Sequence, residues 1–405
     1  MFTVSARADS FRVSAKASVA DEWDVIVVGA GPAGSSAAIA ALQANEHTRV
    51  LLLDKEPPGR DKVCGDGIGP DVVDALDAIG ARSVLRIEEA VSSFHVYVTD
   101  GPALTGAPPE PGYVIPRAQF DLRLLQLAQS SGVVFEQERC IGVNPEGDRV
   151  RVTTQSGKHL TARTAIAADG AYSPIRRSLG IEPNRGRHMA VAIRGYTTDP
   201  RPEESQLVIG WDCNTRGLAY VWKFPLADGR SNIGYGATLQ HGPLSSTYLR
   251  ERLQLLLPAG TSLDGVRLTG HQLPLSSKRP APARDRVLLA GDAASLINPL
   301  SGEGIVYALV SGRLAGHAAA CSTQPGATYT HALRQVLGRH HRHAALFSAL
   351  ATPAAVANAI RAARADERNL HALLGLALGT GTFTVADIAR FARGSLTGLR
   401  AKELT

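Results

Sequence analysis

The stretch DVIVVGAGPAG, residues 24–34, decides the fold of this chain. Residues 24–28 form a mostly apolar, β-branched run, which predicts a parallel strand that is covered on both faces. The glycine pattern GxGxxG follows at once, and the alanine-rich residues 35–44 then predict a helix. A strand, a glycine-rich turn and a helix in this order are typical of dinucleotide binding, with the pyrophosphate at the helix N-terminus.

Each glycine of this turn has its own physical task. Gly29 permits the tight turn after the strand, Gly31 lets the backbone approach a pyrophosphate, and Gly34 allows the helix to pack closely. A second apolar strand is predicted at residues 50–53, and it ends at Asp54, 20 residues after Gly34. A carboxylate at that distance can bind ribose hydroxyls. The predicted loop is completed by Ala30, Pro32 and Ala33.

Composition and charge narrow the classes of partner and of location. The 405 residues contain 43 Lys and Arg against 37 Asp and Glu, and the net charge of +6 is spread without a basic run, which argues against a nucleic-acid partner. No apolar run approaches the roughly 18 residues of a spanning helix. The cysteines lack a CxxC pair, so neither a disulfide framework nor a zinc knuckle is indicated and a cytoplasmic location is expected. These cysteines are Cys64, Cys140, Cys213 and Cys321.

Three histidines lie close together in the C-terminal part of the chain, at His340, His341 and His343. A metal site could be imagined there. Because the histidines stand among arginines on a predicted helix, we interpret them as a solvated helix face. No metal site is therefore predicted.

Three further motifs bear on the cofactor. Residues 116–121, PRAQFD, contain an RxxFD pattern. Residues 164–168 predict a buried strand that leads into DGAYSPIR, residues 169–176. Residues 287–294, VLLAGDAA, predict another strand that runs into a Gly-Asp pair, and NPLSGEGI follows at residues 298–305.

Together these motifs resemble the p-hydroxybenzoate hydroxylase type of FAD-binding fold, over residues 24 to about 320. The resemblance implies that FAD is the cofactor, that Arg117 lies beside it and that Asp292 holds its ribityl chain. It also implies that a helix at residues 304–320 points its N-terminus at the flavin, where the helix dipole stabilises the negative charge of the reduced ring. The other cofactor residues implied are Asp54, Lys55, Asp169, Gly170, Gly291, Pro299, Gly302, Gly304 and Ile305.

A cysteine-containing loop narrows the branch of this superfamily. RDKVCGDGI, residues 60–68, is similar to a loop of the geranylgeranyl reductase family, which includes reductases of menaquinone side chains. The resemblance places Cys64 and Gly65 near the flavin. The Cys64 thiol could tune the flavin, donate a proton or line the pocket, and the alternative is a small buried hydrophobic side chain.

An aromatic motif supports the same branch. YVWKFP, residues 220–225, resembles the YxWxFP motif of that family. The period of two in a strand puts Tyr220, Trp222 and Phe224 on one face. Such an aromatic wall suits a polyprenyl chain or a flat polycyclic molecule. The alternative is that the three rings pack the core of a sheet.

The resemblance implies reduction of C=C bonds of an isoprenoid chain, geranylgeranyl or menaquinone, by hydride transfer from reduced FAD. An isolated alkene also needs a proton from a positioned acid, and Cys64, Tyr220 and Tyr307 are the candidates. The rival interpretations are an FAD-dependent monooxygenase of secondary metabolism, acting as hydroxylase or epoxidase, and a flavin-binding protein without turnover. The electron donor is left open between NADPH, ferredoxin and a partner reductase.

The predicted fold is α/β: an FAD-binding, doubly wound (Rossmann-like) domain with an inserted antiparallel β-sheet substrate domain and a helical C-terminal region. The helical region is expected to cap the pocket, and peripheral contact with the inner face of a membrane is expected if the hydrophobic substrate is a lipid. The predicted segments are a disordered leader at 1–20, FAD-binding segments at 21–180 with part of a substrate-side loop region at 58–114, the substrate sheet at 181–282, the Gly-Asp segment and its helix at 283–320, and the helical region at 321–405.

Overall fold

The computed structural model describes residues 22–108, 110–198, 206–215 and 217–391. The predicted leader at 1–20 and the end of the predicted C-terminal region lie outside these residues. The helices in the described ranges are α1 (Pro32–Ala44), α2 (Pro70–Asp77), α3 (Arg117–Ser130), α4 (Pro174–Ser178), α5 (Ser246–Leu256), α6 (Ile305–Cys321), α7 (Pro325–Leu350), α8 (Pro353–Ala365) and α9 (Glu367–Leu378).

The strands of the described residues form three sheets. In chain order they are β1 (Glu22–Val28), β2 (Val50–Asp54), β3 (Gly67–Ile68), β4 (Ala90–Val91), β5 (Phe94–Val98), β6 (Ala103–Gly106), β7 (Gly112–Val114), β8 (Val134–Gln137), β9 (Cys140–Glu146), β10 (Arg149–Thr154), β11 (His159–Ala167), β12 (Met189–Thr198), β13 (Leu207–Trp211), β14 (Ala219–Pro225), β15 (Arg230–Thr238), β16 (Thr269–Pro274), β17 (Ala283–Arg284) and β18 (Val287–Leu289).

The first sheet is the nucleotide-binding sheet, and its central strands are parallel. Its order is β17-β18-β11-β1-β2-β8, and β9 and β10 continue from β11 as an antiparallel pair. Strands β18, β11, β1, β2 and β8 run in the same direction. Residues 25–28 of β1 and all of β2 are buried, as their continuous apolar runs predict. The carboxyl ends of β1, β11 and β18 therefore meet at one edge.

Helices α1 and α6 cross over this sheet with their backbones in close approach. A Cβ atom at Gly312 would lie 2.1 Å from the Ala33 carbonyl oxygen, and one at Gly316 would lie 2.0 Å from that of Ala37. Only glycine fits at these two positions. The crossing brings the N-terminus of α6 to the same edge of the sheet as the glycine turn before α1.

The second sheet is the predicted substrate sheet, with the order β16-β12-β15-β14-β13-β5-β6. It is antiparallel as predicted except at one place, where β13 pairs with β5 in parallel. Strands β5 and β6 come from the 58–114 loop region, so that region extends the sheet instead of only lying beside it. A small third sheet, β3-β7-β4, joins the cysteine-containing loop to the same region.

The C-terminal helices pack beside the substrate sheet and α6. Ala344, Leu376 and Phe383 are the buried centre of this packing, and Leu300 and Phe347 lie against them. No single helix among the described residues is long and apolar enough to cross a membrane. The pair α7 and α8 meets the length and composition test only when taken together, across a bend of 119°.

Candidate active site

The glycine turn before α1 contains two glycines that the fold requires and one that it does not. Gly29 has φ +105°, and a Cβ atom there would lie 2.2 Å from the Ala168 carbonyl oxygen; one at Gly34 would lie 1.7 Å from that of Gly29. At Gly31 the nearest protein atom would be 3.8 Å away, at Nη2 of Arg117. The space over Gly31 is therefore kept for something other than protein, as a bound pyrophosphate requires.

The acid at the end of β2 is fixed by backbone donors. The carboxylate of Asp54 accepts hydrogen bonds from the N–H groups of Ala30 at 2.7 Å and Glu56 at 2.9 Å. This joins the carboxylate directly to the glycine turn and leaves it lone pairs for ribose hydroxyls. Lys55 is exposed, and its Nζ lies 3.8 Å from the Glu56 carboxylate.

Asp169 and Gly170 follow β11 at the same edge of the sheet. Gly170 has φ +82°, which favours glycine there. Oδ2 of Asp169 accepts from the Ile175 N–H at 3.2 Å, whereas Oδ1 is buried with no hydrogen-bond partner among the described residues. Burial raises the pKa of Asp169 to about 6. An unsatisfied buried oxygen beside the glycine turn fits a hydrogen-bonding ligand such as FAD.

A pocket opens between this edge and the substrate sheet, and it gathers most of the predicted site. Its polar end carries Lys62, Arg117, Arg194, His271 and Asp292. Small and aliphatic side chains of the substrate sheet, such as Ala190, Ala192 and Leu273, also line it. The predicted site residues that line it are Pro32, Cys64, Gly65, Arg117, Tyr220, Trp222, Phe224, Asp292, Pro299, Gly302, Gly304 and Ile305.

Asp292 lies at the polar end in an ion pair. Its Oδ2 is 3.0 Å from Nζ of Lys62. Burial raises the pKa of Asp292, but the Lys62 cation more than offsets this effect and holds that pKa below its usual range. Asp292 is therefore a carboxylate at neutral pH, able to accept hydrogen bonds from ribityl hydroxyls. The preceding Gly291 has φ +58° and sets the turn that places it.

The N-terminus of α6 forms the floor of the pocket through Gly302, Gly304 and Ile305. The Glu303 carboxylate accepts from the N–H groups of Ile305 at 2.6 Å and Val306 at 3.2 Å, so it caps this helix. Burial raises the pKa of Glu303 to about 7, against those backbone hydrogen bonds. The Glu303 carboxylate can therefore take up a proton near neutral pH.

The cysteine-containing loop is anchored to the substrate sheet through Asp66. Asp66 is fully buried, and its backbone is in the left-handed region with φ +64°. Its carboxylate accepts from the Tyr196 hydroxyl at 2.6 Å, from Asn232 Nδ2 at 2.7 Å and from the Arg117 N–H at 3.2 Å. These three bonds hold the strained turn in place. Burial raises the pKa of Asp66, although the hydrogen bonds from Tyr196 and Asn232 oppose the rise.

Asn232 links this anchor to the aromatic wall. Besides Asp66, its Nδ2 donates to the Cys64 carbonyl oxygen at 2.8 Å, and its Oδ1 accepts from Nε1 of Trp222 at 2.8 Å. Arg194 holds the same loop. Its Nη2 donates to the Lys62 carbonyl oxygen at 3.1 Å and pairs with Asp61 at 2.5 Å. The loop and the wall are therefore one hydrogen-bonded unit.

Arg117 lies behind the cysteine. It makes a bidentate pair with Asp121, at 2.7 and 2.8 Å, and both side chains are buried. Burial raises the pKa of the Cys64 thiol, and the Arg117 cation only partly opposes this. Cys64 is therefore a protonated thiol at neutral pH that faces the pocket, which suits a proton donor better than a nucleophile.

The aromatic wall faces the pocket, while the alternate residues of β14 face away. Tyr220, Trp222 and Phe224 line the pocket, whereas Ala219 and Val221 lie in the buried cluster under α5. The rings of Tyr220 and Trp222 lie 5.9 Å apart between centroids. The Tyr220 hydroxyl donates to the Ser301 carbonyl oxygen, and burial raises its pKa, so it keeps its proton.

Tyr307 is not brought together with these residues. It is completely buried and does not line the pocket. Its hydroxyl lies 2.7 Å from the Gly379 carbonyl oxygen and 2.8 Å from Nε2 of His340, and it accepts from Asn298 Nδ2 at 2.9 Å. These bonds tie the end of α9 to α6. The structure thus gives Tyr307 a structural position and leaves Cys64 and Tyr220 as the candidate acids.

The prediction of a solvated histidine face is wrong for two of its three histidines. His340 and His341 are buried, because α7 turns this side toward α6 and toward the segment after α9. His340 Nδ1 lies 2.7 Å from the Gly381 carbonyl oxygen, and His343 Nδ1 accepts from the Phe383 N–H at 3.2 Å. Among the described residues no group of three His, Cys, Asp or Glu side chains is placed to hold a metal ion.

Comparisons with known proteins agree with this geometry. Residues 22–209 match the model of the FAD binding domain family. The chain is 34% identical to the menaquinone reductase of Mycobacterium tuberculosis over 321 residues, which cover 74% of this chain and 76% of that protein. The chain belongs to the geranylgeranyl reductase family. This reductase is an FAD-dependent oxidoreductase.

Two further similarities extend the comparison. The reductase is 31% identical to digeranylgeranylglycerophospholipid reductase 1 of Methanopyrus kandleri, over 74% of this chain and 80% of that protein. In fold it is similar to the crystal structure of a geranylgeranyl bacteriochlorophyll reductase-like protein from Thermoplasma acidophilum. The TM-score is 0.73 at 22% identity, over 95% of this chain and 99% of the other.

Several site residues of the reductase escaped sequence reasoning. Asn232, Arg194 and His271 reach the site from the substrate sheet, far in sequence from the loop that they contact. Arg194 carried a usable signal, because it is the single charge in a strand that is otherwise uncharged. His271 carried none. Its Nε2 is buried without a partner among the described residues, and burial lowers its pKa to about 4, so a neutral imidazole faces the pocket.

Proposed function

We propose that this reductase saturates C=C bonds of an isoprenoid chain, such as a geranylgeranyl group or a menaquinone side chain. The observation that carries the proposal is the aromatic wall of Tyr220, Trp222 and Phe224, which lines one pocket together with the protonated thiol of Cys64. A long apolar ligand gains about 25 cal/mol per Å² of surface that it removes from water. A wall of three aromatic rings provides such surface, whereas a small polar substrate would leave it wet.

The residues of the chain divide the work of the reaction. The turn at Gly31 and the start of α1 are placed to bind the pyrophosphate, Asp54 the ribose and Asp292 the ribityl hydroxyls. When bound and reduced, FAD supplies the hydride for one alkene carbon. The proton for the other carbon comes from Cys64 or Tyr220, since both groups line the pocket and remain protonated at neutral pH.

The pocket holds the apolar chain of the substrate. Ala190, Ala192, Leu218 and Leu275 line it, and they exclude water from the reacting alkene. We place the reductase in the cytoplasm, with a hydrophobic substrate and with an electron donor that is NADPH, ferredoxin or a partner reductase. A monooxygenase would use the same cofactor residues, so the test must separate the two reactions.

The test is anaerobic. The FAD-loaded protein is reduced chemically, a geranylgeranyl or menaquinone substrate is added, and flavin reoxidation is followed together with product mass. The proposal expects reoxidation without oxygen and a product heavier by two hydrogens. No reaction until oxygen is admitted, followed by a gain of one oxygen atom, would contradict it and identify a monooxygenase.

Two variants then identify the acid. Cys64→Ser and Tyr220→Phe each retain the shape of the pocket, and the one that removes the proton donor should lower turnover roughly 100-fold to 10,000-fold. Solvent deuterium should appear at one product carbon in the wild type. Wild-type turnover in both variants would exclude both residues.

A further inference from the structure

The helices α7 and α8 have an unusual charge. Residues 325–365 contain five arginines and no aspartate or glutamate. Three of the arginines lie in α7, at Arg334, Arg339 and Arg342, and two lie in α8. Two successive helices without a carboxylate have no internal partner for this charge, so they present a positive surface to whatever they meet.

The exposed side of α7 combines this charge with apolar side chains. Arg339, Arg342, Leu346 and Leu350 are exposed at spacings of three and four residues, so they form one stripe along the helix. Leu346 is 56% exposed and Leu350 is 62% exposed. The opposite side of α7, which includes Leu337, is buried.

A second apolar segment lies beside this stripe. Phe383 packs against Phe347 of α7, with the ring centroids 4.7 Å apart and the rings tilted by 36°, and this contact brings the segment after α9 against the helix. In that segment Val385 is 85% exposed and Ile388 is 54% exposed. We call the surface of Arg339, Arg342, Leu346, Leu350, Val385 and Ile388 the outer face.

The outer face is joined to the pocket through one helix. Ser348 of α7 donates to the Pro299 carbonyl oxygen at 3.2 Å, and Leu300 packs on Ala344 and Phe347. Pro299 and Leu300 line the pocket. The distance from outer face to pocket is therefore about the diameter of one helix, roughly 10 Å.

We propose that the outer face docks on the surface of an anionic phospholipid bilayer. Leucines inserted below the headgroups, with arginines at headgroup level, are the arrangement by which amphipathic helices lie in a membrane interface. The nearby Asp387 does not oppose this, because it is bound to Arg390 at 2.9 Å and to Thr384. A symmetric contact with a second copy would bring Arg339 and Arg342 against a face that carries no carboxylate of its own to pair with them, which costs energy.

The docking itself is argued from these side chains. Its purpose, which would be to deliver a membrane-resident isoprenoid to the pocket, rests on the proposed function. The test is flotation of the FAD-loaded full chain with vesicles of phosphatidylglycerol and phosphatidylcholine, and with vesicles of phosphatidylcholine alone. Wild type should float with the anionic vesicles and less so as salt is raised. Absence of flotation, or equal binding to neutral vesicles, would overturn the proposal.

Three variants sharpen this test. The double variant Arg339→Gln with Arg342→Gln should bind anionic vesicles roughly 25-fold more weakly, about fivefold for each charge. Leu346→Glu with Leu350→Glu should lose roughly tenfold or more, because carboxylates replace the inserted side chains. The matched control is Leu255→Glu on α5, where the leucine is 68% exposed and is not part of the outer face, and it should float like the wild type.

Two measurements keep the outcomes apart. The rate of anaerobic reduction of a short isoprenoid in detergent should be the same in the outer-face variants and the wild type. Flotation does not depend on this reaction, so a failure of the proposed function would leave the flotation result intact. Sedimentation should show the same mass for wild type and variants. A wild-type dimer that the leucine variant converts to monomer would show that the face binds a second copy, and it would overturn the membrane proposal.

Discussion

The glycine turn allows the cofactor and the fold to be tested separately, with a single added methyl group at each of two positions. At Gly31 a Cβ atom would meet no protein atom within 3.8 Å, and the backbone, with φ −78°, accepts any residue. Gly31→Ala should therefore leave the FAD-free protein as stable as the wild type, or more stable by about 0.4–1 kcal/mol, since alanine restricts the unfolded chain. Gly34→Ala would force a methyl group to 1.7 Å from a carbonyl oxygen, and we expect a loss of about 1–3 kcal/mol or more.

Gly31→Ala should weaken the binding of FAD even though it does not destabilise the protein. The methyl group at position 31 would occupy the place where the backbone approaches the pyrophosphate, and loss of one hydrogen bond to a charged group costs about 1.5–3 kcal/mol. The FAD dissociation constant of Gly31→Ala should therefore rise roughly 10-fold to 150-fold. Urea unfolding of the FAD-free proteins and titration of FAD by fluorescence measure the two effects. The reasoning is falsified if Gly31→Ala binds FAD as the wild type does, or if it unfolds as easily as Gly34→Ala.

Three other predictions concern the residues around the pocket. Asn232→Ala leaves the buried Asp66 carboxylate, the Cys64 carbonyl oxygen and the Trp222 N–H each without one partner. The free energy of unfolding, measured by urea titration, should therefore fall by about 3 kcal/mol or more. A loss below about 1 kcal/mol would show that the network is dispensable. Tyr307→Phe should change turnover less than about threefold while lowering stability, because the hydroxyl lies outside the pocket; a 100-fold drop in turnover would restore Tyr307 as the acid. The raised pKa of Glu303, about 7, means that the folded state binds its proton more tightly than the unfolded state. The contribution of Glu303 to the stability of the FAD-free protein should therefore fall as pH rises from about 4.5 to 7, and urea titrations across this range should show wild-type stability falling relative to that of Glu303→Gln; a constant difference would contradict this.

The cofactor side of the site could be predicted because its motifs are contiguous. The glycine turn, residues 169–176 and the Gly-Asp pair each carry their geometry within a few residues, and the strand that precedes each one is apolar. The period of two in β14 likewise placed Tyr220, Trp222 and Phe224 on the pocket face. In each case local chemistry alone decided the outcome.

The parts that were missed depend on contacts between distant segments. Asp66 and Asn232 are 166 residues apart, and no local pattern announces that they will meet. The prediction of a solvated face for the histidines of α7 was wrong for a related reason. Arg339 and Arg342 occupy one side of the helix and His340 and His341 the other, so neighbours in sequence have opposite surroundings. The period of 3.6 could have separated them.

The dependence of α1 on α6 sets an order for biosynthesis. Gly312 and Gly316 receive the carbonyl groups of Ala33 and Ala37, and nearly all of α1 is buried, yet α6 ends only at Cys321. In a chain emerging from the ribosome, the side of α1 that packs on α6 therefore stays uncovered while the 260 residues between Ala44 and Ile305 are translated. A stop codon anywhere before α6 should therefore leave a fragment that does not retain FAD. The two helices that frame the cofactor site, α1 and α6, are thus made early and late in translation.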